Sequence, residues 1–377
     1  MKNKRTYLVI TPFFPSKNKS AGIYIYDQLN ELRKKTNFDF IIIKVNSFFT
    51  KENDYNYNGF TVKIFKIIDF PFFIFPGFFN KINISRFNSF IKKKNIVNIY
   101  IVHSHVTYPS SYLCSEINSK KIIHHHGLDV LQLKNGRVNI LRKIYRRFLI
   151  KKSISIVNNA DLNIGVSNLV LRKLKEIRGY NPKLEYIMYN GVDKNKFYKK
   201  ELVLKDHFTI GCIANFWDIK DQITLLKACH ILLSQEKKIK LRLIGEGPTL
   251  SFCQDYIVKH SLESHVIYEG IYLHENLNNF YNQIDLFVLP SYYEALGCVY
   301  LESWATNTPF IAVKNQGISE LIPNQFHDLM LVSKSNQLEL SEKINYFIEN
   351  KFIFDWDQNY DIRNTVSDFI KFLRLNE

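Results

Sequence analysis

The chain has 377 residues, of which 46% are hydrophobic and 23% are charged. This composition is that of a globular protein and excludes an intrinsically disordered one, and the length suffices for two domains with a core each. Lysine and arginine number 51 against 35 acidic residues, which gives a formal net charge of +16. Such a balance predicts an anionic partner, either an acidic membrane surface or nucleic acid.

Cysteine usage and hydropathy bear on the compartment. The five cysteines are scattered and include no C-x-x-C pair, which predicts reduced thiols, a cytosolic location and no structural zinc. The apolar run from Tyr7 to Phe14 is interrupted by Pro12 and lacks a small-residue cleavage site, so we expect no signal peptide. No apolar window reaches the roughly 18 residues that a transmembrane helix needs, so we predict no membrane span.

The first half of the chain alternates short apolar runs with helical segments, the pattern of a parallel α/β sheet. Tyr7–Thr11 is predicted as a buried strand, and the loop that ends at Gly22 leads into a helix over Ile23–Lys35. The next predicted strands are, in order, Phe38–Val45, Thr61–Ile67, Ile99–His103 and Lys121–His125. The opening loop has no G-x-G-x-x-G, which disfavours a dinucleotide site.

Histidines gather where two of these strands end: His103 and His105 on one, and His124, His125 and His126 on the next. Three consecutive residues of a strand point to alternate faces, so the second group cannot all bind one ion. No carboxylate or cysteine completes a ligand set. We therefore predict no metal site, and we expect His124 and His125 to be structural.

Two stretches of the first half combine basic and aromatic residues, Phe70–Lys94 and Leu141–Ser155. Basic residues beside exposed aromatic rings are typical of a protein that rests on anionic lipid headgroups. The alternative is that the apolar residues are ordinary core and the charges an ordinary solvated face, and periodicity does not decide between the two. Nucleic acid is the less favoured partner because no nucleic-acid-binding motif accompanies the charge.

The first domain is predicted to end at residue 193. Ser167 caps a helix over Leu169–Ile177, and the strand Leu184–Tyr189 is closed by the turn Asn190-Gly191-Val192-Asp193, in which Asn-Gly favours positive φ. The polar, lysine-rich residues 194–206 are predicted to be a linker.

The second half opens another sheet, and residues 207–353 are predicted to form the second domain. Its predicted strands are Phe208–Ala214, Ile239–Ile244, Val266–Gly270, Leu286–Leu289 and Phe310–Val313. A helix is predicted over Leu338–Asn350, and residues 354–377 are predicted to carry a terminal helix over Phe354–Leu375.

The stretch Asp285–Ile322 places two carboxylates at one sheet edge, Glu294 in the loop after a buried strand and Glu302 in the helix that follows. The helix start at Leu296, Gly297 and Cys298 can receive a phosphate on backbone N–H groups. Glu302 can then accept hydrogen bonds from a ribose diol, and Glu294 from sugar hydroxyls. The alternative is that Glu294 caps the helix electrostatically and Glu302 is a solvated helix charge.

The arrangement in this stretch resembles the nucleotide-sugar signature of retaining glycosyltransferases of family 4, with Glu294 and Glu302 in the E-x7-E spacing. Its other members are Pro290-Ser291, Gly297, Ala305, Pro309 and Glu320. The resemblance implies an α/β fold of the GT-B class, in which two Rossmann-like parallel-sheet domains face a central cleft and the C-terminal helix crosses back to the first domain. Two departures are Asn307 in place of a glycine and Gln316-Gly317 in place of a glycine pair.

The resemblance also implies roles for residues elsewhere in the chain. In the first domain, Gly22 matches a loop glycine that lies against donor phosphate or acceptor, and His126 with Gly127 matches the H-G loop whose histidine faces the reacting sugar. His103, His105 and Asp129 are weaker candidates for acceptor contacts.

In the second domain, Lys220 matches the lysine that neutralises the diphosphate, and Asn215 stands where an arginine is usual. Gly245 and Gly247 match an element near the nucleotide base. Asp355-Trp356-Asp357 spells a D-x-D metal motif, but it falls in the pattern of the terminal helix with no strand before it, so we interpret it as accidental and expect no divalent metal or other cofactor.

These residues together predict a retaining transferase that moves a hexose or N-acetylhexosamine from a nucleotide diphosphate sugar, a UDP-sugar first and GDP-mannose second, to a lipid-linked or oligosaccharide acceptor. The basic, aromatic first domain predicts a cytoplasmic protein peripheral to the inner face of the plasma membrane, in bacterial polysaccharide biosynthesis. The alternatives are a nucleotide-sugar epimerase of the same fold and a non-catalytic basic protein that binds nucleic acid or membrane.

Overall fold

The chain forms two compact α/β units. The computed structural model describes residues 4–70, 77–127, 140–201, 205–350, 352–355 and 357–375. The first unit comprises Met1–Tyr189 together with Val366–Glu377, and the second comprises Asn190–Thr365.

The first unit is built on a sheet of eight described strands in the order β3-β4-β2-β1-β5-β6-β7-β8. All neighbours pair in parallel except β3, which runs antiparallel to β4. The strands are β1 (Thr6–Thr11), β2 (Asp39–Ser47), β3 (Tyr55–Tyr57), β4 (Phe60–Ile67), β5 (Ile99–His105), β6 (Lys120–His125), β7 (Leu162–Gly165) and β8 (Glu185–Ile187).

The second unit has a sheet of six described strands, all parallel, in the order β11-β10-β9-β12-β13-β14. The strands are β9 (Phe208–Ile213), β10 (Ile239–Ile244), β11 (Val266–Tyr268), β12 (Leu286–Val288), β13 (Phe310–Val313) and β14 (Leu331–Val332). The predicted α/β class with two parallel-sheet domains is therefore confirmed.

Helices connect the strands in both units, as parallel pairing requires. In the first unit they are α1 (Ile23–Lys35), α2 (Asn80–Lys93), α3 (Ile140–Asn159) and α4 (Asn168–Lys175). In the second they are α5 (Gln222–Ser234), α6 (Leu250–Lys259), α7 (Leu277–Gln283), α8 (Cys298–Ala305), α9 (His327–Met330) and α10 (Gln337–Glu349), and α11 (Ile362–Leu375) ends the chain.

Burial explains why the central strands read as apolar runs. All six residues of β1 and all four of β13 are buried, because both strands lie inside their sheets and are covered on both faces. The side chain of Ser167 accepts a hydrogen bond from the Val170 backbone N–H, so this serine caps α4 as predicted.

The terminal helix begins later than predicted. The predicted span Phe354–Leu375 is wrong at its start, because α11 begins at Ile362 and a short turn over Gln358–Tyr360 precedes it. Asp357 caps that turn by accepting from the Asn359 backbone N–H, and the backbone oxygen of Asp355 accepts from the Trp304 indole N–H. The D-x-D sequence thus lies outside the helix, and its two aspartates have local contacts.

Residues at the two ends of the second unit are paired with each other. Val192 forms a β-bridge with Asp361, and the Asn190 side chain donates to the Cys298 thiol at 3.3 Å. The division between the units therefore falls just before the Asn190 turn, whereas the sequence places it after that turn. From Val366 on, α11 belongs to the first unit, where Phe372 packs on Tyr186 of β8 with ring centroids 4.3 Å apart.

All five cysteines lie in the described part of the chain and are free thiols. Of the helices that the structure describes, none is both long and apolar enough to cross a bilayer.

Candidate functional site

The carboxyl edge of the second sheet brings the two conspicuous charged residues of this unit into contact. Lys220 lies in the turn Asp218–Lys220 after β9, and Glu294 lies in the loop after the adjacent strand β12. The Tyr292 backbone N–H donates to the Ile219 carbonyl at 3.0 Å, which holds the two loops together. Lys220 Nζ and Glu294 Oε1 form an ion pair at 2.5 Å, with side chains 24% and 12% exposed.

Gln316 fixes the loop that carries Glu294. Its side-chain oxygen accepts from the Glu294 backbone N–H at 2.7 Å, and its amide donates to the Tyr292 carbonyl at 3.2 Å. The Gly317 backbone N–H donates to the Glu294 carbonyl at 3.0 Å, and a Cβ on Gly317 would lie 1.8 Å from the Ala295 oxygen. The departure at Gln316-Gly317 therefore keeps the close approach that needs glycine and adds an amide that orders the loop.

Helix α8 starts in this loop. Gly297 is its N-cap residue and has φ of +82°, a left-handed conformation that strains any other L residue, and a Cβ there would meet the Tyr300 ring at 2.6 Å. The first N–H groups of a helix have no partner within the helix and carry the positive end of its dipole. Gly297 lies next to Glu294, because a Cβ on Gly297 would be 3.8 Å from the Glu294 Cβ, and Leu296 and Cys298 flank it at the start of α8.

Glu302 lies one turn into α8 and is buried. One carboxylate oxygen accepts from the Tyr281 hydroxyl at 2.9 Å, and the other lies 3.0 Å from His274 Nε2. Burial and the carboxylate together raise the pKa of Tyr281 well above its ordinary value, so the phenol keeps its proton as the donor. The alternative that Glu302 is a solvated surface charge is wrong, and each of its oxygens retains a further lone pair for a ligand hydroxyl.

Asn215, Gly245 and Gly247 come together where β9 and β10 end. The Ala214 and Phe216 backbone N–H groups donate across to the carbonyls of Ile244 and Glu246 at 3.0 and 2.8 Å. Gly245 has φ of +133°, and a Cβ there would lie 2.0 Å from the Ala214 oxygen. Gln222 at the start of α5 donates its side-chain amide to the Asn215 carbonyl at 3.1 Å. These predicted donor residues therefore share one edge with Lys220.

In the first unit, the predicted residues Gly22 and His126 also lie near each other. Gly22 is the N-cap residue of α1, and the ring of Tyr24 in that helix lies 5.0 Å from the His126 ring, between centroids. His126 follows β6 and is half-buried. Asp129 lies outside the described residues.

His103 and His105, the weaker candidates for acceptor contacts, are both buried at the end of β5, and that role stays a prediction. Their side chains lie on one face of β5, next to His124 of the paired strand β6, and one ring nitrogen from each of the three residues lies within 4.8 Å of those of the other two. His125 points to the opposite face, where its Nε2 lies 3.1 Å from Asn163 Oδ1. Burial lowers the pKa of His103 to about 3 and the pKa values of His105 and His124 well below the ordinary value, so all three are neutral.

Several of these contacts have no local signal in the sequence. Tyr281 and His274 are distant from Glu302 along the chain and meet it only in the folded unit. The grouping of His124 with His103 and His105 follows from parallel pairing of β5 and β6, whereas the sequence argument treated each strand alone. The role of Gln316 could have been recognised in the sequence, because this residue replaces a glycine in a loop that requires close packing.

Two family models match the chain side by side. The model described as Glycosyltransferase Family 4 matches residues 11–196, and the model described as Glycosyl transferases group 1 matches residues 193–365. The two matches together span both units and include the candidate site residues of each.

Individual relatives agree with the family models. An uncharacterised glycosyltransferase of Methanocaldococcus jannaschii is 29% identical over 274 residues, which are 70% of this chain and 70% of that protein. The O-antigen biosynthesis glycosyltransferase WclY of Escherichia coli is 27% identical over 192 residues, 44% of this chain and 51% of that protein. The solved structure of Anabaena HepE in complex with UDP and glucose matches with a TM-score of 0.72 at 15% identity, covering 98% of this chain and 100% of that chain. Likeness at this identity shows the fold, which is GT-B as the resemblance implied.

Proposed function

The chain belongs to the group 1 and family 4 glycosyltransferases, and on this premise we propose that it transfers a hexose or N-acetylhexosamine from a nucleotide diphosphate sugar to a glycan hydroxyl, with retention at the anomeric carbon. The observation that carries the proposal is the ion pair between Lys220 and Glu294 at the carboxyl edge of the second sheet. A cation for phosphate and a carboxylate for hydroxyls are the two groups that recognition of such a donor requires.

The donor diphosphate is assigned to Lys220 and to the N-terminal end of α8. Negative charge develops on the leaving diphosphate as the glycosidic bond breaks, and a well-placed donor to such charge contributes about 3 to 4 kcal/mol. Asn215 can donate a hydrogen bond but adds no charge, so Lys220 is the principal side-chain cation of the proposal. Neutralisation by Lys220 leaves no need for a divalent metal at the diphosphate, and we propose that transfer is metal-independent.

The sugar and the ribose are assigned to the two glutamates. Glu294 accepts hydrogen bonds from hydroxyls of the donor sugar, and Glu302 accepts from the ribose diol with the lone pairs that Tyr281 and His274 leave available. In this scheme the ion pair with Glu294 keeps Lys220 in place before the donor binds. When the donor binds, Lys220 leaves Glu294 and pairs with the phosphate. His126 in the first unit is assigned to a hydroxyl of the reacting sugar, a role that rests on the family resemblance.

A UDP-sugar is the preferred donor, and GDP-mannose is the second choice. The support is the HepE complex with UDP and glucose, a protein of the same fold. For the acceptor, the relative WclY is by name an O-antigen biosynthesis enzyme, which supports a polysaccharide or lipid-linked oligosaccharide acceptor in bacterial polysaccharide biosynthesis.

Peripheral binding to an anionic membrane from the cytoplasmic side is part of the proposal. Phe78, Lys81 and Ile82 are exposed near the start of α2. Burial and then the charge of Lys81 lower the pKa of Lys152, so Lys81 of α2 and Lys152 of α3 lie close together. Exposed apolar groups beside clustered lysines suit a headgroup surface that presents a lipid-linked acceptor.

The test is donor turnover by the full-length chain in EDTA, with product analysis. Release of UDP with transfer to an added lipid-linked glycan, and an α-anomer product from an α-linked donor, is the expected result. Glu294→Gln and Lys220→Ala should each abolish most of this turnover while the protein remains folded. Unchanged rates in both variants, or an epimerised nucleotide sugar released without acceptor, would remove the assignment.

A further inference from the structure

Four histidines of the first unit stack at the end of β5 and β6. His105 is in register with His124. The ring centroid of His103 lies 4.4 Å from that of His105 and 5.5 Å from that of His124. The ring centroids of His105 and His124 are 5.2 Å apart. His126 stacks on His124 at 4.5 Å. Parallel pairing of two strands that each carry alternate histidines produces this arrangement.

Some nitrogen atoms inside the stack have no hydrogen-bond partner among the residues that the structure describes. These are Nε2 of His103, Nε2 of His105, and both ring nitrogens of His124, all of them buried. Buried polar atoms in folded proteins are nearly always satisfied, because the lost contact with water is otherwise uncompensated. Four such atoms on three adjacent side chains indicate a ligand that the described part of the chain does not supply.

The remaining nitrogens of His103 and His105 are held by neighbours. Nδ1 of His103 lies 2.8 Å from the Tyr7 hydroxyl, and Nδ1 of His105 lies 2.8 Å from Nε2 of His126. When each Nδ1–H donates to its neighbour, each Nε2 is left with an unshared lone pair. Metal-binding histidines characteristically donate their second ring N–H in this way, which fixes the tautomer and the ring orientation.

We propose that His103, His105 and His124 bind one divalent transition metal ion of the zinc class. Imidazole nitrogen suits Zn²⁺, Cu²⁺, Ni²⁺ and Co²⁺, whereas Mg²⁺ and Ca²⁺ require oxygen ligands that are missing from this group of three. Metal–nitrogen bonds are about 2.0 to 2.1 Å long. The three near-parallel rings must therefore rotate out of their stack for one nitrogen of each, now within 4.8 Å of the others, to converge on one ion. Three protein ligands leave a further coordination position for water.

This site is separate from the donor residues and does not rest on the proposed transfer reaction. The ion joins β5 to β6 through side chains and holds His105, which in turn contacts His126 through Nδ1. Its effect is therefore to stiffen the strand ends that carry the histidine of the H-G loop, while Lys220 and Glu294 lie in the other unit.

The first measurement is metal content of the full-length protein, purified with a tag that contains no histidine and dialysed against metal-free buffer. Mass spectrometry of the metals should find one equivalent of zinc, or one equivalent should be taken up from added ZnCl₂. Replacement with Co²⁺ should give the intense visible absorption of a low-coordinate imidazole complex. A wild-type protein that neither carries nor takes up an equivalent of metal overturns the proposal.

Variants separate this site from accidental binding. His103→Ala and His124→Ala should lose the equivalent of metal, whereas His125→Ala, a buried histidine on the opposite face of the same strand, should keep it. His260 and His230 are partly exposed and their rings lie 4.7 Å apart, so they form a competing surface site. His260→Ala removes this site. Loss of metal in His260→Ala with retention in His124→Ala contradicts the proposal.

If a variant in which a buried histidine is replaced by alanine does not fold, a milder variant still tests the site. Tyr7→Phe keeps the ring and removes only the hydroxyl that contacts His103. Loss of such an outer contact weakens metal affinity about 10- to 100-fold, and zinc competition with a coloured chelator measures it. Unchanged zinc affinity in Tyr7→Phe, with the metal still present in the wild type, argues against His103 as a ligand.

Discussion

Lys220 and Glu294, 74 positions apart in the chain, share a hydrogen-bonded ion pair of 2.5 Å between Nζ and Oε1. The two residues approach because β9 and β12 are neighbours in a parallel sheet, so the loops after them meet at one edge. An ion pair that is only partly exposed retains more of its attraction than a surface pair does. It holds a cation and an anion ready in the site before donor binds.

Lys220→Ala should reduce kcat/KM for the donor about 100-fold or more, because it removes the side-chain charge that stabilises the leaving diphosphate. Steady-state kinetics with the preferred nucleotide sugar measure the effect. Lys227→Ala is the matched control, since Lys227 is an exposed lysine on the following helix α5. Equal losses in the two variants would mean that net charge, and not Lys220, is responsible.

Gln316→Leu should destabilise the second unit by about 1 to 3 kcal/mol and raise KM for the donor. The side chain keeps its volume, but the Glu294 backbone N–H and the Tyr292 carbonyl lose their partner in a partly buried loop. Chemical denaturation and donor titration give the two quantities. Gln235→Leu, at an exposed position after α5, makes the same chemical change and should leave both unaltered.

Tyr281→Phe should weaken donor binding about tenfold, because a buried carboxylate oxygen of Glu302 loses the donor that orients it. Calorimetric titration with the nucleoside diphosphate measures this. Tyr256→Phe removes a hydroxyl that lies 3.3 Å from His230 Nδ1, and this control variant should bind the nucleoside diphosphate normally. Normal binding by Tyr281→Phe would show that the position of Glu302 does not depend on this hydroxyl.

Lowering the pH should reduce the free energy of unfolding of the second unit, because Glu339 becomes protonated. Burial alone would raise its pKa, but hydrogen bonds from Ser333 and the nearby Lys314 ammonium outweigh burial and lower the pKa to about 2. Since the folded-state pKa lies below the unfolded value of 4.5, the carboxylate stabilises the fold above about pH 4.5, and this contribution is lost as the pH falls toward 2.

Glu339→Gln should therefore lower Tm at neutral pH, and the gap from wild type should narrow as the pH falls below about 4.5. Thermal unfolding at a series of pH values makes the comparison. Glu342→Gln, on the exposed side of the same helix, is the control. A difference in Tm between wild type and Glu339→Gln that stays constant down to pH 3 would contradict the ion pair assigned to Glu339.

Local patterns in the sequence sufficed for much of the fold. The predicted bounds of α1, β10 and β13 coincide with the observed ones, because alternation of buried apolar runs with amphipathic segments is a local signal. The short strand β3 was missed, although Asn58-Gly59 between it and β4 is a strong hairpin signal. The start of α11 was misplaced, because the prediction did not recognise the separate turn over Gln358–Tyr360 that precedes Ile362.

The charged residues that meet at the edge of the second sheet were recognised in the sequence, but their contacts were not. The spacing of Glu294 and Glu302 and the position of Lys220 are visible in the sequence, whereas their partners depend on which strands become neighbours. Strand order is a long-range property that single-strand periodicity does not contain. For the same reason, His103, His105 and His124 look like separate strand-end residues until β5 and β6 are paired.

The measurement that tests the central claim most directly is a thermal-shift panel of UDP, GDP, ADP and CDP with their common sugars. The panel is run on wild type and on Lys220→Ala. Each protein is measured in a constant concentration of EDTA and again with Mg²⁺. A ligand at about 100 times its dissociation constant stabilises its site by about 2.7 kcal/mol, which such a panel detects. We expect a shift with one base, uridine first, that is the same with and without Mg²⁺ and is lost in Lys220→Ala. A wild-type protein that shifts with none of these nucleotides, or a shift that Lys220→Ala retains in full, would contradict the account.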